Sequence, residues 1–468
     1  MFKKRNIALS RLFQYTFLAL FFIIFYACSS DDKVINNNPN QNEEPNPPET
    51  SVENPLVLFS VTTNGAAIVD EPKIAADFTI TEGDQELYSG NMGIEIRGSS
   101  SQSFPKKSFG VETWDAEGND TDVALLEMPE EEDWILHGPY SDKTLVRNVL
   151  IYDLARDMNH YASRTKFVDL QINDQYNGVY VFMEKLKRDS GRIDINKLKD
   201  DENEGEDLTG GYIIKIDKSD KEGYTDQNSF NSRYGSSLEQ TGSPIRFLYD
   251  YPDAEDITEQ QKTYISTYIT DFEDALASDD FTNPETGYAS FIDVDSFIDF
   301  FILNEISNNV DGYRISTYMH KDKNDKLKMG PIWDFNLAFG NADYCSGGET
   351  NVWAYKFNER CPGDFWFVPF WWDRLLQDPA FVDRLKSRWA TLRAGVLADA
   401  TMLAKVDAYT STINDAEAAG ANFEKWPIFG IYVWPNAFVG QNYSEEITYL
   451  KDWIRDRNQW LDTSINGL

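Results

Sequence analysis

Cysteine is scarce in this 468-residue chain, which has only three. Three cysteines in no zinc-ligand spacing exclude a disulfide scaffold and a cysteine-built metal centre. Positive charge is also short, with 43 Lys and Arg against 78 Asp and Glu and a formal net charge of −35. That balance excludes a protein whose main task is gripping nucleic acid, and a peripheral protein held by charge on anionic lipid. There is no internal repeat, so a solenoid is excluded as well. What is plentiful is apolar and aromatic material, 41% and 14% of the residues. Such a stock buries a large core, and the length suits two or three domains or one large two-lobed unit.

Lys3, Lys4, Arg5 and Arg11 precede an apolar run that reaches Ala27. A basic stretch followed by an apolar one is the secretory pattern, and the run is short for a membrane span. It ends in Ala27-Cys28, a small residue before a cysteine, which resembles a bacterial lipoprotein cleavage site. Residues 1–27 are therefore expected to be a lipoprotein signal peptide, with Cys28 as the lipidated terminus and the membrane a partner through that lipid. Ser29-Ser30-Asp31-Asp32 resembles the surface-export signal of Bacteroidetes-type lipoproteins and points to the outer membrane or cell surface. Residues 28–54, rich in Asn, Pro, Glu and Ser, read as a disordered tether. Signal removal takes away four positive charges and no acid, leaving the mature chain more acidic still.

From about 55 to 250, short β-prone runs dominate: 56–61, 75–80, 93–97, 108–114, 210–216, and a hairpin of 167–172 with 178–184 turning through 173–178. A helix over about 143–158 interrupts them. From about 251 to 468 the spacing is helical, over 264–276, 294–306, 381–397 and 445–461, the last opened by Ser444 as N-cap. Strands first and helices later predict an α+β protein with a sheet-rich first lobe and a helical second.

Polar residues beside turns mark the candidate chemistry. At 97–108, Arg97-Gly98 opens a Gly/Ser loop that closes on Lys106-Lys107. Flexible amides and hydroxyls beside cations cradle phosphate, or make an ordinary surface hairpin. Segment 140–148 puts polar groups at a helix start. Glu184-Lys185-Leu186-Lys187-Arg188 ends a buried-looking strand, where alternation sets Lys185 with Lys187 and Glu184 against them. A hydrophobic helix runs into Asn308-Asn309-Val310-Asp311-Gly312. Asp334 stands inside the aromatic stretch 330–341, where an unpaired buried charge is costly and calls for a metal ion or a cationic side chain. Asp311 and Asp334 frame a hairpin of 317–321 and 326–329, so both can face one site. Such a pair suits phosphoryl transfer, one Asp near the acceptor hydroxyl and the other on a divalent metal. It equally suits glycoside hydrolysis by paired acids, and spacing alone does not choose.

These stretches resemble the spore coat protein H family, the CotH kinases. The resemblance rests on Ile96-Arg97-Gly98-Ser99-Ser100 with Pro105-Lys106-Lys107-Ser108-Phe109, on 142–148, on Gly178-Val179-Tyr180 with Glu184, on Asn309-Val310-Asp311-Gly312, and on 330–341. It continues through 370–376 and 450–454, covering about residue 55 to the end. It implies an atypical protein-kinase-like fold of two lobes that binds ATP with Mg²⁺ or Mn²⁺ and phosphorylates Ser or Thr of an unidentified extracytoplasmic protein. Carried over, Asp311 takes the catalytic-base position and Asp334 the metal position, with Asn308 or Asn309 as a further metal ligand. Arg97, Gly98, Lys106 and Lys107 fall near the phosphates, Lys107 preferred, and Glu184 or Lys187 completes the nucleotide pocket. Two departures stand out: Ser316 where kinases place a metal-binding Asn, and Asn336 where they place a Gly after Asp-Phe. The competing expectation is a non-catalytic surface lipoprotein, either a pseudokinase or a glycan binder using Trp353, Trp366, Trp371, Trp372, Trp426 or Trp434 as platforms. In an oxidising compartment Cys345 and Cys361 are expected to pair. Against so acidic a chain, the basic islands at Arg97 with Lys106 and Lys107, and at Lys185 with Lys187 and Arg188, mark where a polyanionic nucleotide would be held.

Overall fold

Along β2 (Ile74–Glu82) Ala76, Phe78 and Ile80 are buried while Ala75, Asp77 and Thr79 are more open, so the strand offers one apolar face. The computed structural model, which describes residues 56–219 and 223–468, gathers such faces into a closed barrel. The other strands are β1 (Val57–Thr62), β3 (Gln85–Arg97), β4 (Ser108–Trp114), β5 (Asp133–His137), β6 (Thr165–Ile172) and β7 (Gln175–Glu184). Their order is β1-β2-β3-β4-β5-β7-β6, shut by parallel pairing of β1 with β6, where Phe59 lies opposite Leu170. Closure leaves no free sheet edge and lets Phe59, Phe78, Trp134, Tyr180 and Phe182 pack a core of their own. The β6–β7 turn is tighter than the sequence pattern implies. Asn173 and Asp174 alone span it, both left-handed at φ 52° and 61°, so β7 starts at Gln175.

A second sheet joins β8 (Tyr212–Ile216), β9 (Ser229–Asn231), β10 (Arg246–Tyr251), β11 (Thr317–Lys321) and β12 (Leu327–Met329) in the order β12-β11-β8-β10-β9. It draws strands from both halves of the sequence, since β11 follows the helices and pairs with β8, Tyr318 opposite Lys215.

The helices are α1 (Arg147–Asp157), α2 (Glu259–Ala277), α3 (Val294–Ser307), α4 (Phe357–Arg360), α5 (Trp371–Leu375), α6 (Pro379–Arg393), α7 (Asp399–Asp415), α8 (Ala418–Lys425) and α9 (Tyr443–Asn466). Helix α1 starts later than its periodicity suggests, because Asp142 and Thr144 engage the preceding backbone amides. Helix α9 is capped by Asn442, whose side chain accepts from the Glu445 amide, and not by Ser444. Trp371 and Trp372, each 1% exposed, pack in the core that joins the helices to the second sheet, which removes them as sugar platforms. The architecture is mixed α+β, sheet-rich in the N-terminal half and helical in the C-terminal part, with the described residues in one compact unit. Among them, no helix is long and apolar enough to cross a membrane. Residues 1–27, Cys28 and the tether 28–54 lie outside the described residues.

Candidate active site

The loop that carries Asp334 is held by the segment 140–148. Arg147, buried and paired with Asp142 at 2.5 Å, donates to the carbonyls of Ala338 and Phe339 at 3.1 and 3.4 Å. Asn148 Oδ1 accepts from the Phe335 amide at 2.8 Å, and the Tyr152 hydroxyl accepts from the Asp334 amide at 3.0 Å. Asn341 Nδ2 donates to the Ser141 carbonyl at 3.3 Å. The polar helix start is thus a clasp, and it holds Asp334 in the left-handed region at φ 60°. Non-glycine residues persist there only when their surroundings enforce it, and such residues gather at functional sites.

Among the described residues no hydrogen bond or ion pair reaches the Asp334 carboxylate. Asp334 is itself exposed to solvent, yet protein is packed densely around it. That packing, followed by the like charge of Asp311, pushes its pKa up to about 6; Asp217 adds to the rise, while Arg97 and Lys218 oppose it. Arg97 ends β3 with its guanidinium 5.8 Å over the Trp333 ring, which in turn stacks on Tyr152 at 6.2 Å. Asp311 follows α3, where Asn308 closes the helix in the left-handed region at φ 43°. Asn308 Nδ2 donates to the carbonyls of Ser346, Gly347 and Glu349 and so positions that loop. Buried Asn309 accepts from the Asp311 amide at 3.2 Å. Arg314 Nη2 donates to Asp311 Oδ1 at 2.9 Å, leaving Oδ2 without a hydrogen bond.

A third carboxylate, Asp217, closes β8 and escaped the sequence reading. Its Oδ2 accepts from Ser316 Oγ at 3.5 Å and its Oδ1 from the Lys218 amide at 2.8 Å, and burial raises its pKa. The signal was available: an acid ending the apolar run 212–216 just before a loop, much as Asp334 stands among aromatics.

Of the residues assigned to the nucleotide, Arg97 stands beside Asp334. Gly98 sits at φ 105°, a backbone conformation that other residues rarely adopt. Lys106 is 2% exposed; its ammonium donates to the Val179 carbonyl at 2.6 Å and to Asn422 Oδ1 at 2.8 Å, and burial pulls its pKa down to about 7. Lys107 Nζ donates to the Gln102 carbonyl at 2.6 Å and latches the Gly/Ser loop. Buried Glu184 accepts from the Arg164 amide and guanidinium at 2.8 and 2.6 Å. Lys187 pairs with Glu131 at 2.9 Å, Asp133 at 3.2 Å and also Glu132. These last four side chains are therefore engaged by other protein groups. Glu131, Glu132 and Asp122 bring carboxylate oxygens within 4.8 Å of one another, the one such acidic or His/Cys trio among the described residues. Cys345 and Cys361 form a disulfide with Cα atoms 5.6 Å apart.

Residues 94–461 match the family model described as CotH kinase protein. The chain belongs to that family. No curated protein matches it. For a CotH kinase family member, ATP and a divalent metal are the ligands the family suggests. The donors around Asp334 suit such a cation in kind: they are oxygens, both Asp334 oxygens are without partners among the described residues, and Asp311 and Asp217 add negative charge, although the three acids do not close to within 4.8 Å of one another.

Proposed function

We propose that this protein is an extracytoplasmic kinase that transfers the γ-phosphate of ATP to a Ser or Thr hydroxyl of a surface or secreted protein. The reading includes a kinase-like arrangement in which the barrel and the helical part face each other across the cleft, and a Bacteroidetes-type lipoprotein anchored through Cys28 at the outer membrane or cell surface. The observation that carries the catalytic part is Asp334, a carboxylate without a partner among the described residues, raised to about 6 by the protein packed around it and by Asp311. Asp334 and Asp217 are the residues that would hold Mg²⁺ or Mn²⁺, with Asn309 beside them. The cation supplies positive charge against the phosphates. Arg97, across from Asp334, adds its own. Asp311 Oδ2, the oxygen Arg314 leaves free, accepts the acceptor's hydroxyl proton as the new phosphorus–oxygen bond forms and the bond to ADP breaks.

Incubation with γ-labelled ATP and Mn²⁺ or Mg²⁺ is expected to label the chain or a Ser-rich acceptor, and Asp334→Asn to abolish that label. Wild-type protein with neither labelling nor nucleotide-dependent thermal stabilisation would overturn the reading. The anchor is tested separately, by palmitate incorporation that Cys28→Ser eliminates.

A further inference from the structure

Four of the eight large apolar side chains exposed among the described residues lie on segments tied to the surroundings of Asp311. Phe365 is 86% exposed, and Ile431, Tyr432 and Trp434 are 53%, 52% and 48% exposed. Both groups are tied to the residues that hold Asp311. On one side, Arg314 bridges Asp311 at 2.9 Å and Asp364 at 3.1 Å, and Phe365 is the next residue. Trp366 carries Lys218 over its ring at 5.4 Å, and its indole nitrogen lies 3.4 Å from the Tyr224 hydroxyl, which donates to the Asp217 carbonyl at 2.6 Å. On the other side, Trp434 stacks on Tyr344 with ring planes 4° apart and centroids at 6.1 Å. Tyr344 packs against Val310, Leu337 and Ala342, and Val310 is the residue before Asp311. The Cys345–Cys361 disulfide staples the stretch between the two aromatic groups.

We propose that these two aromatic rims dock an extended, basic polypeptide whose apolar side chains flank the acceptor hydroxyl. The proposal rests on the kinase reading for the fate of that hydroxyl, and on exposure and charge for the docking itself. Exposed aromatic surface of this kind marks an interaction site, and aromatic anchors supply most of the energy of such contacts. The charge sets the partner's sign. Asp343, bonded to the Tyr432 hydroxyl at 2.7 Å, has no cation paired to it among the described residues. Asp364 shares a single guanidinium with Asp311, and the whole chain carries −35. A cationic segment is drawn in and an acidic one is repelled.

The test is fluorescence anisotropy of labelled Ser peptides on the full chain, comparing a basic peptide with Leu and Phe flanking the Ser, its acidic counterpart, and a basic peptide with polar flanks. The first is expected to bind best. Phe365→Ala and Trp434→Ala are each expected to weaken it about ten-fold, with nucleotide-dependent thermal stabilisation kept as the control for folding. Equal affinity for the acidic peptide would overturn the proposal, as would binding indifferent to both substitutions. Capture by immobilised polysaccharide that both substitutions abolish would overturn it too, in favour of a sugar platform. The two readings separate cleanly. A peptide that binds at the rims without being phosphorylated removes the kinase and keeps the docking surface. Phosphorylation insensitive to both substitutions does the reverse.

Discussion

Asp122, Glu131 and Glu132 lie closer together than Asp217, Asp311 and Asp334 do as a trio, yet the proposed function places the cation at the looser group. In the tight group Lys187 and Arg192 supply the positive charge, at 2.9 Å and 2.7 Å from Glu131. Its acids also settle their repulsion by sharing protons: burial raises Glu131 to about 7, and Glu132 is held well below its ordinary range by bonds to Glu131, Asp122 and Lys187. Two cations already serve these acids. In the cleft, Arg314 neutralises Asp311 but no cation pairs with Asp334. The proposed function thus places the cation by uncompensated charge and not by carboxylate proximity.

The comparison breaks first at Asp334. Asp334→Asn is expected to lower phosphotransfer on the order of 10³-fold or more, because positioning and charge stabilisation are nearly all the protein contributes to this chemistry. It should also erase thermal stabilisation by Mn²⁺ alone while raising the melting temperature of the cation-free protein. Calorimetry with and without Mn²⁺ reads both effects; a Mn²⁺ shift that survives in Asp334→Asn would move the metal elsewhere. The opposite result is expected at the tight group. Lys187→Met strips the cation from three acids and should destabilise the fold by about 2 kcal/mol, below the figure for a fully buried pair because Lys187 is one-third open. Urea denaturation checks this. A Mn²⁺-dependent shift newly gained by the variant would show that Lys187 keeps the cluster from taking up a metal even with Arg192 in place.

Titration separates the same two behaviours. Asp334 keeps its proton when folded up to about pH 6, whereas unfolded it loses it near 3.8. Between those values the folded state binds the extra proton, so this group removes stability as pH rises through the window. Without cation, the melting curve of the wild type should therefore lose ground to Asp334→Asn between pH 4 and about 6. Phosphotransfer should run the other way and fail below about pH 6, as the carboxylate is protonated. Lys106 has the mirror sign: folded near 7 and unfolded near 10.5, it adds stability as pH rises between them, and Lys106→Met should flatten that rise.

What could be read from sequence followed the range of the interaction. Alternation and helical spacing are local, so strands first and helices later were legible, and Asp334 stood out because its neighbours are aromatic. Barrel closure depends on β1 meeting β6 more than a hundred residues away, with Leu58 beside Asp169, and no local pattern encodes it. Glu184 and Lys187 looked free for a nucleotide because their partners, Arg164 and the acids 131–133, are distant in sequence. Asp217 carries a local signal, but its partner Ser316 reaches it only through the return of β11 alongside β8.

Ser316 gives the finest test of the cleft. The family resemblance implies a metal-binding Asn at this place, and the Ser316 φ of 49° is one that Asn adopts more readily than Ser. The backbone is therefore already shaped for the amide. Its hydroxyl instead donates to Asp217 at 3.5 Å, a long bond whose loss costs little. Ser316→Asn should leave the melting temperature of the cation-free protein nearly unchanged, while its amide oxygen joins Asp217 and Asp334 and tightens Mn²⁺ binding roughly three-fold, in keeping with one added neutral oxygen ligand. Isothermal titration with Mn²⁺ reads the change directly. If Ser316→Asn weakens the metal, the hydroxyl is setting the position of Asp217, and the missing Asn is a feature of this cleft and no defect in it.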